Sequence, residues 1–363
     1  MDLRKAFDTV NHLLLLRELR VIGVDDKMVD WFASYLGNRT QQSRVNGALS
    51  DRKPVCCGVP QGSVLGPLLF NIYINNIIKN LQHSRYYMYA DDLALLVSGK
   101  DINIIHQLLQ LDLNCVDKWC AEHRLTINAE KTKVLWCFSA RKPLNLDDLD
   151  FVMKDIPLKT VSHFDYLGVR IDCHLSFTPY CSKVRNSLLN KLYNMRKLRR
   201  YMDKSLTLTL YKQMVLPVMD FGDFVIEGAP KLSRACFQTI QNHFLRCCLD
   251  VKDPQLLSRE VIHELCLCKK LYARRKENLL LIMHKVSLDS DNVIVPTRML
   301  RGNIKVHLKV QKSSAALYDK SPLYRGARYW DMLDPIIQHS PDRLTFKNNL
   351  IRADRLLQPL PNG

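Results

Sequence analysis

The chain has 363 residues, of which 47% are hydrophobic and 25% are charged. This balance excludes a wholly disordered or collagen-like chain, and the length suffices for two or three domains of about 100–200 residues each. The net charge is +17, and residues 181–363 hold 32 Lys and Arg against 16 Asp and Glu, whereas residues 1–180 hold 21 against 20. A basic half indicates binding of a polyanion, either a nucleic acid or an anionic membrane, or merely a solubilising surface.

The first half mixes helix and strand patterns without a strict βαβ alternation. Apolar residues recur at helical spacing, and β-rich runs flank turn-forming pairs such as Asn46-Gly47. The patterns predict helices over 10–21, 27–36, 63–81 and 103–122, and strands over 39–45, 53–59, 133–138, 150–156 and 166–171, with a hairpin over 85–97. We therefore predict an α+β domain, with a largely antiparallel sheet flanked by helices.

The second half is mainly helical, and the change of character predicts a domain boundary near 175–180. Helical patterns cover 184–201, 205–219 and 232–249. No run approaches the roughly 18 consecutive apolar residues of a membrane span. The twelve cysteines, with no secretory signal before them, indicate a reducing intracellular compartment.

Two adjacent acids, Asp91 and Asp92, lie between the strands of the predicted hairpin. Neighbouring carboxylates repel each other unless cations or solvent compensate, and a solvated turn is the alternative interpretation. Asp2 lies near a short apolar strand, and if that strand pairs with the hairpin, Asp2 and Asp91 converge. Such a group of acids suits two Mg²⁺ ions about 3.5–4 Å apart, the arrangement that polymerases use for phosphoryl transfer.

Five motifs, in order along the chain, resemble those of reverse transcriptases from non-LTR (LINE-type, jockey-like) retrotransposons. They are DLRKAFDTV from residue 2, GVPQGSVLGPLLFNIYIN from residue 58, YADDLALL from residue 89, LTINAEKTKVLWCF from residue 125 and FDYLGVRIDCHLSF from residue 164. The resemblance implies an RNA-directed DNA polymerase with a right-hand fold. It divides the chain into a palm (1–177), a helical thumb (178–255) and a basic, mostly helical C-terminal region (256–363).

For the chemistry, the resemblance implies that Asp2 and Asp91 are the principal ligands of two Mg²⁺ ions, or of Mn²⁺ in their place, with Asp92 in support. It makes Lys131 a candidate proton donor to pyrophosphate, although an exposed lysine beside a strand is equally a solvated one. Phe7 corresponds to the steric gate that selects deoxynucleotides, and its alternative role is that of a core aromatic at a strand–helix junction.

For the nucleic acid, the resemblance implies that Pro60, Gln61 and Gly62 form the segment that contacts the nascent base pair. An ordinary helix start with Ser63 as N-cap is the alternative. The primer terminus would be held by Tyr166, Leu167 and Gly168, which also suit a strand bend. The phosphates would be contacted by Arg196, Lys197, Arg199 and Arg200.

The C-terminal stretch LYRGARYW, from residue 323, resembles the tail of these elements, and Phe346-Lys347 follows it. Its aromatic residues suit stacking on bases, and packing into a small helical core is the alternative. The expected partners are an RNA template, a DNA primer and deoxynucleoside triphosphates, and a nuclear location follows from how such elements integrate. The oligomeric state stays open.

The family's fingers and endonuclease regions precede the first motif, and this sequence does not contain them. The expected activity is therefore RNA-directed DNA synthesis without target nicking. A remnant that binds nucleic acid without catalysis is the alternative function. A membrane-surface protein is a weaker one, because no basic helix pattern shows a clean, wide apolar face.

Overall fold

The computed structural model describes residues 1–139, 149–251, 253, 255–288 and 321–353. The chain divides into a first unit, Met1–Leu167, and a second unit, Gly168–Gly363. The three-domain division drawn from the sequence stays a prediction, and much of its third region lies outside the described residues.

Four α-helices form the first unit's helical part: α1 (His12–Val21), α2 (Asp26–Leu36), α3 (Leu65–Ile74) and α4 (Ile102–Glu122). Three of them begin after a side chain that accepts backbone N–H bonds, namely Asn11, Asp25 and Asp101. Such caps satisfy amides that have no partner within the helix. The predicted helix over 63–81 is shorter than expected, because Asn75–Asn80 continue it as a 3₁₀ helix.

The strands of the first unit are short, and β1 to β10 pair two by two. They are β1 (Thr40–Gln41), β2 (Arg44–Val45), β3 (Ala48–Leu49), β4 (Lys53–Pro54), β5 (Arg85–Tyr89), β6 (Asp92–Leu96), β7 (Lys133–Val134), β8 (Val152–Met153), β9 (Ile156–Pro157), β10 (Lys159–Thr160) and β11 (His163–Tyr166). The pairs β1–β4, β2–β3, β5–β6 and β8–β9 are antiparallel, whereas β7–β10 is parallel. The fold is thus α+β, as predicted, but built from small sheets.

The predicted turn at Asn46-Gly47 is confirmed, since both residues have positive φ and join β2 to β3. This is the conformation that a two-residue hairpin loop of this composition adopts. The strands around it are broken into two-residue pieces. At the far end of this region, Pro54 in β4 lacks the N–H that a longer ladder would need.

The core of the first unit lies between its helices and the β5–β6 hairpin. Its largest fully buried side chains are Tyr73, Phe70, Phe151, Leu15, Leu19 and Leu36. Residues from α1, α2 and α3 thus share one apolar interior, which holds the surrounding loops against a rigid base.

The second unit opens with β12 (Val169–Asp172) and continues as helices. These are α5 (Thr178–Leu198), α6 (Lys204–Leu210), α7 (Leu216–Asp220), α8 (Asp223–Gly228), α9 (Lys231–Leu249), α10 (Arg259–Leu265), α11 (Leu271–Leu288), α12 (Pro322–Asp331), α13 (Pro335–Gln338) and α14 (Arg343–Arg352). Helical character over 184–201, 205–219 and 232–249 is confirmed. The middle stretch is interrupted by a π-helical turn over Tyr211–Val215. Pro217 follows, and its nitrogen has no hydrogen to donate to a carbonyl of the preceding turn.

The second unit has two apolar clusters. One joins α5, α6, α7, α9 and α10, and the other joins α11 to α12, α13 and α14. Trp330 is fully buried in the second cluster and stacks on Phe346. Of the two interpretations of the LYRGARYW stretch, the structure therefore favours core packing. Among the described residues, no helix is both long and apolar enough to cross a membrane.

Candidate active site

The β5–β6 hairpin carries the paired acids on a two-residue turn. Tyr89 pairs with Asp92, so that Ala90 and Asp91 alone form the loop. Ala90 has φ +51°, a left-handed conformation that costs a residue with a side chain about 1–2 kcal/mol. Asp91 and Asp92 are both half-buried. The predicted hairpin with acids at its tip is confirmed, and its turn is strained.

The segment that carries Asp2 lies between this hairpin and residues 126–128. The ammonium of Met1 donates to the carbonyl of Leu93 at 2.7 Å, and the Leu93 amide donates to the carbonyl of Met1 at 3.4 Å. On the other side, the Asn128 amide donates to the carbonyl of Asp2 at 2.8 Å, and Leu3 forms an antiparallel bridge with Ile127. The backbone of Asp2 is therefore held beside the hairpin, as the convergence argument requires.

The three carboxylates interact electrostatically. Burial raises the pKa of Asp92, and the charges of Asp91 and Asp2 raise it further, while the ammonium of Met1 lowers it. Burial lowers the pKa of that ammonium, whereas the negative charges of Asp92 and Asp2 raise it. Carboxylates under mutual repulsion are stabilised by a cation, and carboxylate oxygens are ligands that Mg²⁺ prefers.

The donor chemistry of these acids fits Mg²⁺, but their present arrangement is not a closed site. Within the described ranges, no group of three or more His, Cys, Asp or Glu side chains is close enough to hold one metal ion. Mg²⁺ sites of this class are completed by substrate phosphates and water rather than by protein alone. Acids such as these are thus only some of the ligands that such a site needs.

Lys131 lies beside Asp2. Its Nζ is 3.7 Å from Oδ2 of Asp2, and its side chain is 70% exposed, against 29% for that of Asp2. The loop that carries it is turned by Asn128, whose carbonyl accepts from the amides of Lys131 and Thr132. Lys131 is thus a solvated lysine that reaches Asp2, which fits either of its two interpretations.

The GVPQG segment is bonded to the first motif. The Gly58 amide donates to the carbonyl of Val10 at 2.8 Å, and the Val59 amide donates to the carbonyl of Phe7 at 2.9 Å. Gly58 has φ +84°, and a Cβ there would lie 2.7 Å from the carbonyl oxygen of Asp8. Only glycine permits both this conformation and this close approach.

The rest of that segment places Gln61 at the first motif. Its Nε2 donates to Oδ1 of Asp8 at 2.7 Å. Pro60 precedes it, and Gly62 follows with φ +78° and open space around it. The hydroxyl of Ser63 accepts from the Gly66 amide at 2.9 Å. The N-cap residue of α3 is nevertheless Val64, which makes no side-chain cap bond, so that the prediction of Ser63 as N-cap is wrong by one residue.

Phe7 packs against α3. It lies in a 3₁₀ turn over Ala6–Asp8, and its ring stacks on Phe70 with centroids 4.2 Å apart. The side chain is half-buried. One face thus belongs to the core, and the rest of the ring is accessible, so that both predicted roles of Phe7 are compatible with its position.

A cavity of about 650 Å³ lies between the first motif and the GVPQG segment. Lys5, Asp8, Arg39 and Gln61 line it, together with Thr9, Gln41 and the stretch 54–59. Arg39 also reaches the carbonyl of Gly58, at 3.4 Å. Sequence reasoning missed Lys5 and Arg39. Lys5 stands inside the first motif, but nothing in the sequence indicated that Arg39 folds back onto residue 58.

The predicted primer segment meets the hairpin through Tyr166. Its hydroxyl donates to the carbonyl of Tyr87 at 3.2 Å, and burial, followed by the charge of Asp92, raises its pKa. Leu167 and Gly168 follow with φ +47° and +83°. This confirms a bend of the backbone and places the Tyr166 hydroxyl on β5, the strand that leads into the turn with the acids.

The family model described as reverse transcriptase (RNA-dependent DNA polymerase) matches residues 1–171, the stretch that contains the acids, the GVPQG segment and the predicted primer segment. Residues 1–171 form a reverse transcriptase domain. All five motifs begin within this domain.

Several curated relatives of this chain come from mobile elements of insects. The probable RNA-directed DNA polymerase from transposon BS of Drosophila melanogaster is 29% identical over 263 residues, which is 69% of this chain and 28% of the relative. The RNA-directed DNA polymerase from mobile element jockey of the same species is 27% identical over 236 residues, covering 61% and 25%. The chain thus spans between a quarter and a third of the length of these relatives.

A third relative extends the likeness to another element type. The retrovirus-related Pol polyprotein from type-1 retrotransposable element R2 of Popillia japonica is 29% identical over 191 residues, 47% of this chain and 30% of the relative. The resemblance to non-LTR retrotransposon reverse transcriptases expected from the motifs is therefore confirmed.

In the second unit, the predicted basic cluster lies at the end of α5. Arg196, Lys197 and Arg200 are exposed, whereas Arg199 is half-buried and its Nη1 donates to the carbonyl of Met202 at 2.5 Å. Lys197 lies 4.3 Å from the ring centre of the exposed Tyr193. Three of the four predicted cations are thus accessible to a polyanion, and the fourth caps the end of its own helix.

Proposed function

We propose that this chain carries out RNA-directed DNA synthesis as the palm and thumb of a non-LTR retrotransposon polymerase. The observation that carries the proposal is the backbone ladder that holds Asp2 beside the Asp91-Asp92 turn. It brings the acids of two motifs into electrostatic contact. The relatives, named as RNA-directed DNA polymerases, support the same chemistry.

In this proposal, Asp2 and Asp91 hold divalent ions and Asp92 supports them. Two Mg²⁺ ions held there would lower the pKa of the primer 3′-hydroxyl and stabilise the leaving pyrophosphate. Lys131 reaches Asp2 from the solvent side, with its Nζ 3.7 Å from Oδ2. From there its ammonium can donate a proton to the departing pyrophosphate.

The incoming deoxynucleoside triphosphate occupies the cavity between the first motif and the GVPQG segment. Lys5 and Arg39 supply positive charge on its wall, which suits a triphosphate. The accessible part of the Phe7 ring excludes a ribose 2′-hydroxyl. Gln61, oriented by its bond to Asp8, and the open backbone at Gly62 meet the nascent base pair.

Two further groups of residues contact the template–primer in this proposal. Tyr166, Leu167 and Gly168 position the primer terminus, and the exposed cations Arg196, Lys197 and Arg200 bind phosphates. Under this proposal, residues 1–177 act as the palm and 178–255 as the thumb. The excess of 16 positive charges over residues 181–363, from 32 Lys and Arg against 16 Asp and Glu, supports polyanion binding.

The test is primer extension by the full chain on an RNA template with an annealed DNA primer, Mg²⁺ and deoxynucleotides. We expect the wild type to extend the primer, and Asp91→Ala to abolish extension while binding of template–primer, followed by fluorescence anisotropy, stays unchanged. Asp30→Asn is the control, since Asp30 is exposed on α2. Equal loss of binding and extension in Asp91→Ala would make Asp91 a structural residue.

A second candidate function is nucleic-acid binding without catalysis. It is favoured by the lack, among the described residues, of a preformed acidic group that holds a metal. Salt-sensitive binding of template–primer by a wild type that extends no primer would establish it and overturn the first proposal.

A further inference from the structure

A buried arginine in the second unit is only partly neutralised. The side chain of Arg275, on α11, is 5% exposed, and its Nη1 lies 3.5 Å from Oε2 of Glu227. Its Nε and Nη2 are buried and have no hydrogen-bond partner among the described residues. Leaving charged N–H groups without acceptors is costly, so that such a group points to an acceptor that comes from elsewhere.

Glu227 is shared among three arginines. Its Oε1 accepts from Arg234 at 3.0 Å and from Arg325 at 2.9 Å, in addition to the contact with Arg275. One carboxylate therefore faces three guanidinium groups. The second acid near Arg275, Asp223, is engaged by the side chain of Asn278 at 2.6 Å, and burial raises its pKa. The cluster retains a net positive charge.

A cavity of about 240 Å³ opens onto this cluster. Arg275, Arg234, Lys231 and Glu227 line it, with Ala235, Gln238, Leu271 and Tyr272. The Nε of Arg234 is also buried without a partner among the described residues. Lys231 is exposed and is the first residue of α9, whose N-terminus has no side-chain cap. The positive end of that helix adds to the positive charge of its first turn.

We infer that this cavity binds a phosphate group. Two guanidinium groups, whose three buried nitrogens lack acceptors among the described residues, are joined by one ammonium. Together they match the several oxygens of a phosphate better than the two oxygens of a carboxylate. The phosphate can belong to a nucleic-acid strand or to a free anion, since both present anionic phosphate oxygens. The inference rests on the cavity alone and stands whether or not the chain synthesises DNA.

The test is calorimetric titration of the full chain with inorganic phosphate at constant ionic strength. We expect saturable binding that weakens about tenfold in Lys231→Gln and in Arg234→Gln, since each loses one charge-assisted contact. Lys231 lies outside the Glu227 ion pairs described above, so that Lys231→Gln tests the site even if Arg234→Gln unfolds. The matched control is Lys204→Gln, because Lys204 is likewise exposed at the first position of a helix, α6.

A second measurement distinguishes the two sources of the phosphate. Binding of a single-stranded RNA is measured against salt, and loss of one phosphate contact lowers the slope of log K against log salt by about 0.7. A lower slope in Lys231→Gln, but not in Lys204→Gln, assigns the site to the nucleic-acid backbone; an unchanged slope with weakened phosphate binding assigns it to a free anion. Phosphate binding no stronger than that of chloride, or equal in all variants, would overturn the inference.

Discussion

Adding one methyl group at Gly58 tests how tightly the GVPQG segment is joined to the first motif. In Gly58→Ala, the Cβ would lie 2.7, 2.8 and 2.9 Å from three backbone atoms of Asp8. That backbone cannot move freely, because the neighbouring residues Phe7 and Val10 are bonded to residues 59 and 58. The variant therefore carries a conformational cost of about 1–2 kcal/mol for its positive φ and about 1–3 kcal/mol for the overpacked contact.

Gly62→Ala is the matched control within the same segment. Gly62 has φ +78°, close to the +84° of Gly58, but nothing lies within 4 Å of the position that an added methyl group would take. Gly62→Ala should lower the free energy of unfolding only by the cost of the positive φ, about 1–2 kcal/mol. The assay is urea denaturation followed by tryptophan fluorescence, since Trp31, Trp119 and Trp136 lie in the first unit. Equal losses in the two variants would refute the close approach of Gly58 to Asp8.

Three further predictions follow from named contacts. Phe7→Ala should reduce discrimination against ribonucleotides by about tenfold or more in single-nucleotide incorporation, and unchanged discrimination would leave Phe7 a core residue. Glu227→Gln should lower the free energy of unfolding, measured by urea denaturation, by about 3–5 kcal/mol, because it leaves Arg275 buried without its carboxylate. Glu260→Gln removes an exposed ion pair and should leave the free energy of unfolding unchanged. Burial lowers the pKa of His263, so that the unfolded chain binds a proton at this residue more readily than the folded chain does. The free energy of unfolding should therefore fall as the pH drops below about 6.5. In His263→Gln, this fall should be smaller.

The sequence predicted best what depends on neighbouring residues. The helix that apolar spacing predicts over 103–122 agrees with α4 within one residue, and the side chain of Asp101 caps its start. The hairpin at Asp91 and Asp92 was found because two β-rich runs leave room for only a short turn. In both cases, local backbone preferences and the final packing agree.

Non-local contacts were out of reach of sequence patterns. The bridge between Leu3 and Ile127, which fixes Asp2, joins segments that share no periodicity. The fold of Arg39 onto Gly58 is of the same kind. In the second unit, the pattern around Arg325 suited base stacking as well as core packing, and only the burial of Trp330 and the contact with Glu227 distinguish them.

The interrupted helix over 205–219 shows a different reason. Apolar spacing continues through Pro217, so that periodicity alone predicts one helix, whereas the missing N–H of the proline divides it. Likewise, the predicted sheet became separate pairs because the strands are short and one of them, β4, ends at a proline.

The claim that the acids at the β5–β6 turn bind divalent ions is tested most directly by Mn²⁺ titration, followed by electron paramagnetic resonance. The chain is measured with template–primer and a non-hydrolysable deoxynucleotide. We predict that Asp2→Asn and Asp91→Asn each weaken Mn²⁺ binding by about tenfold or more, while Asp30→Asn binds as the wild type does. Equal Mn²⁺ affinity in all four proteins would contradict the assignment of these carboxylates as metal ligands.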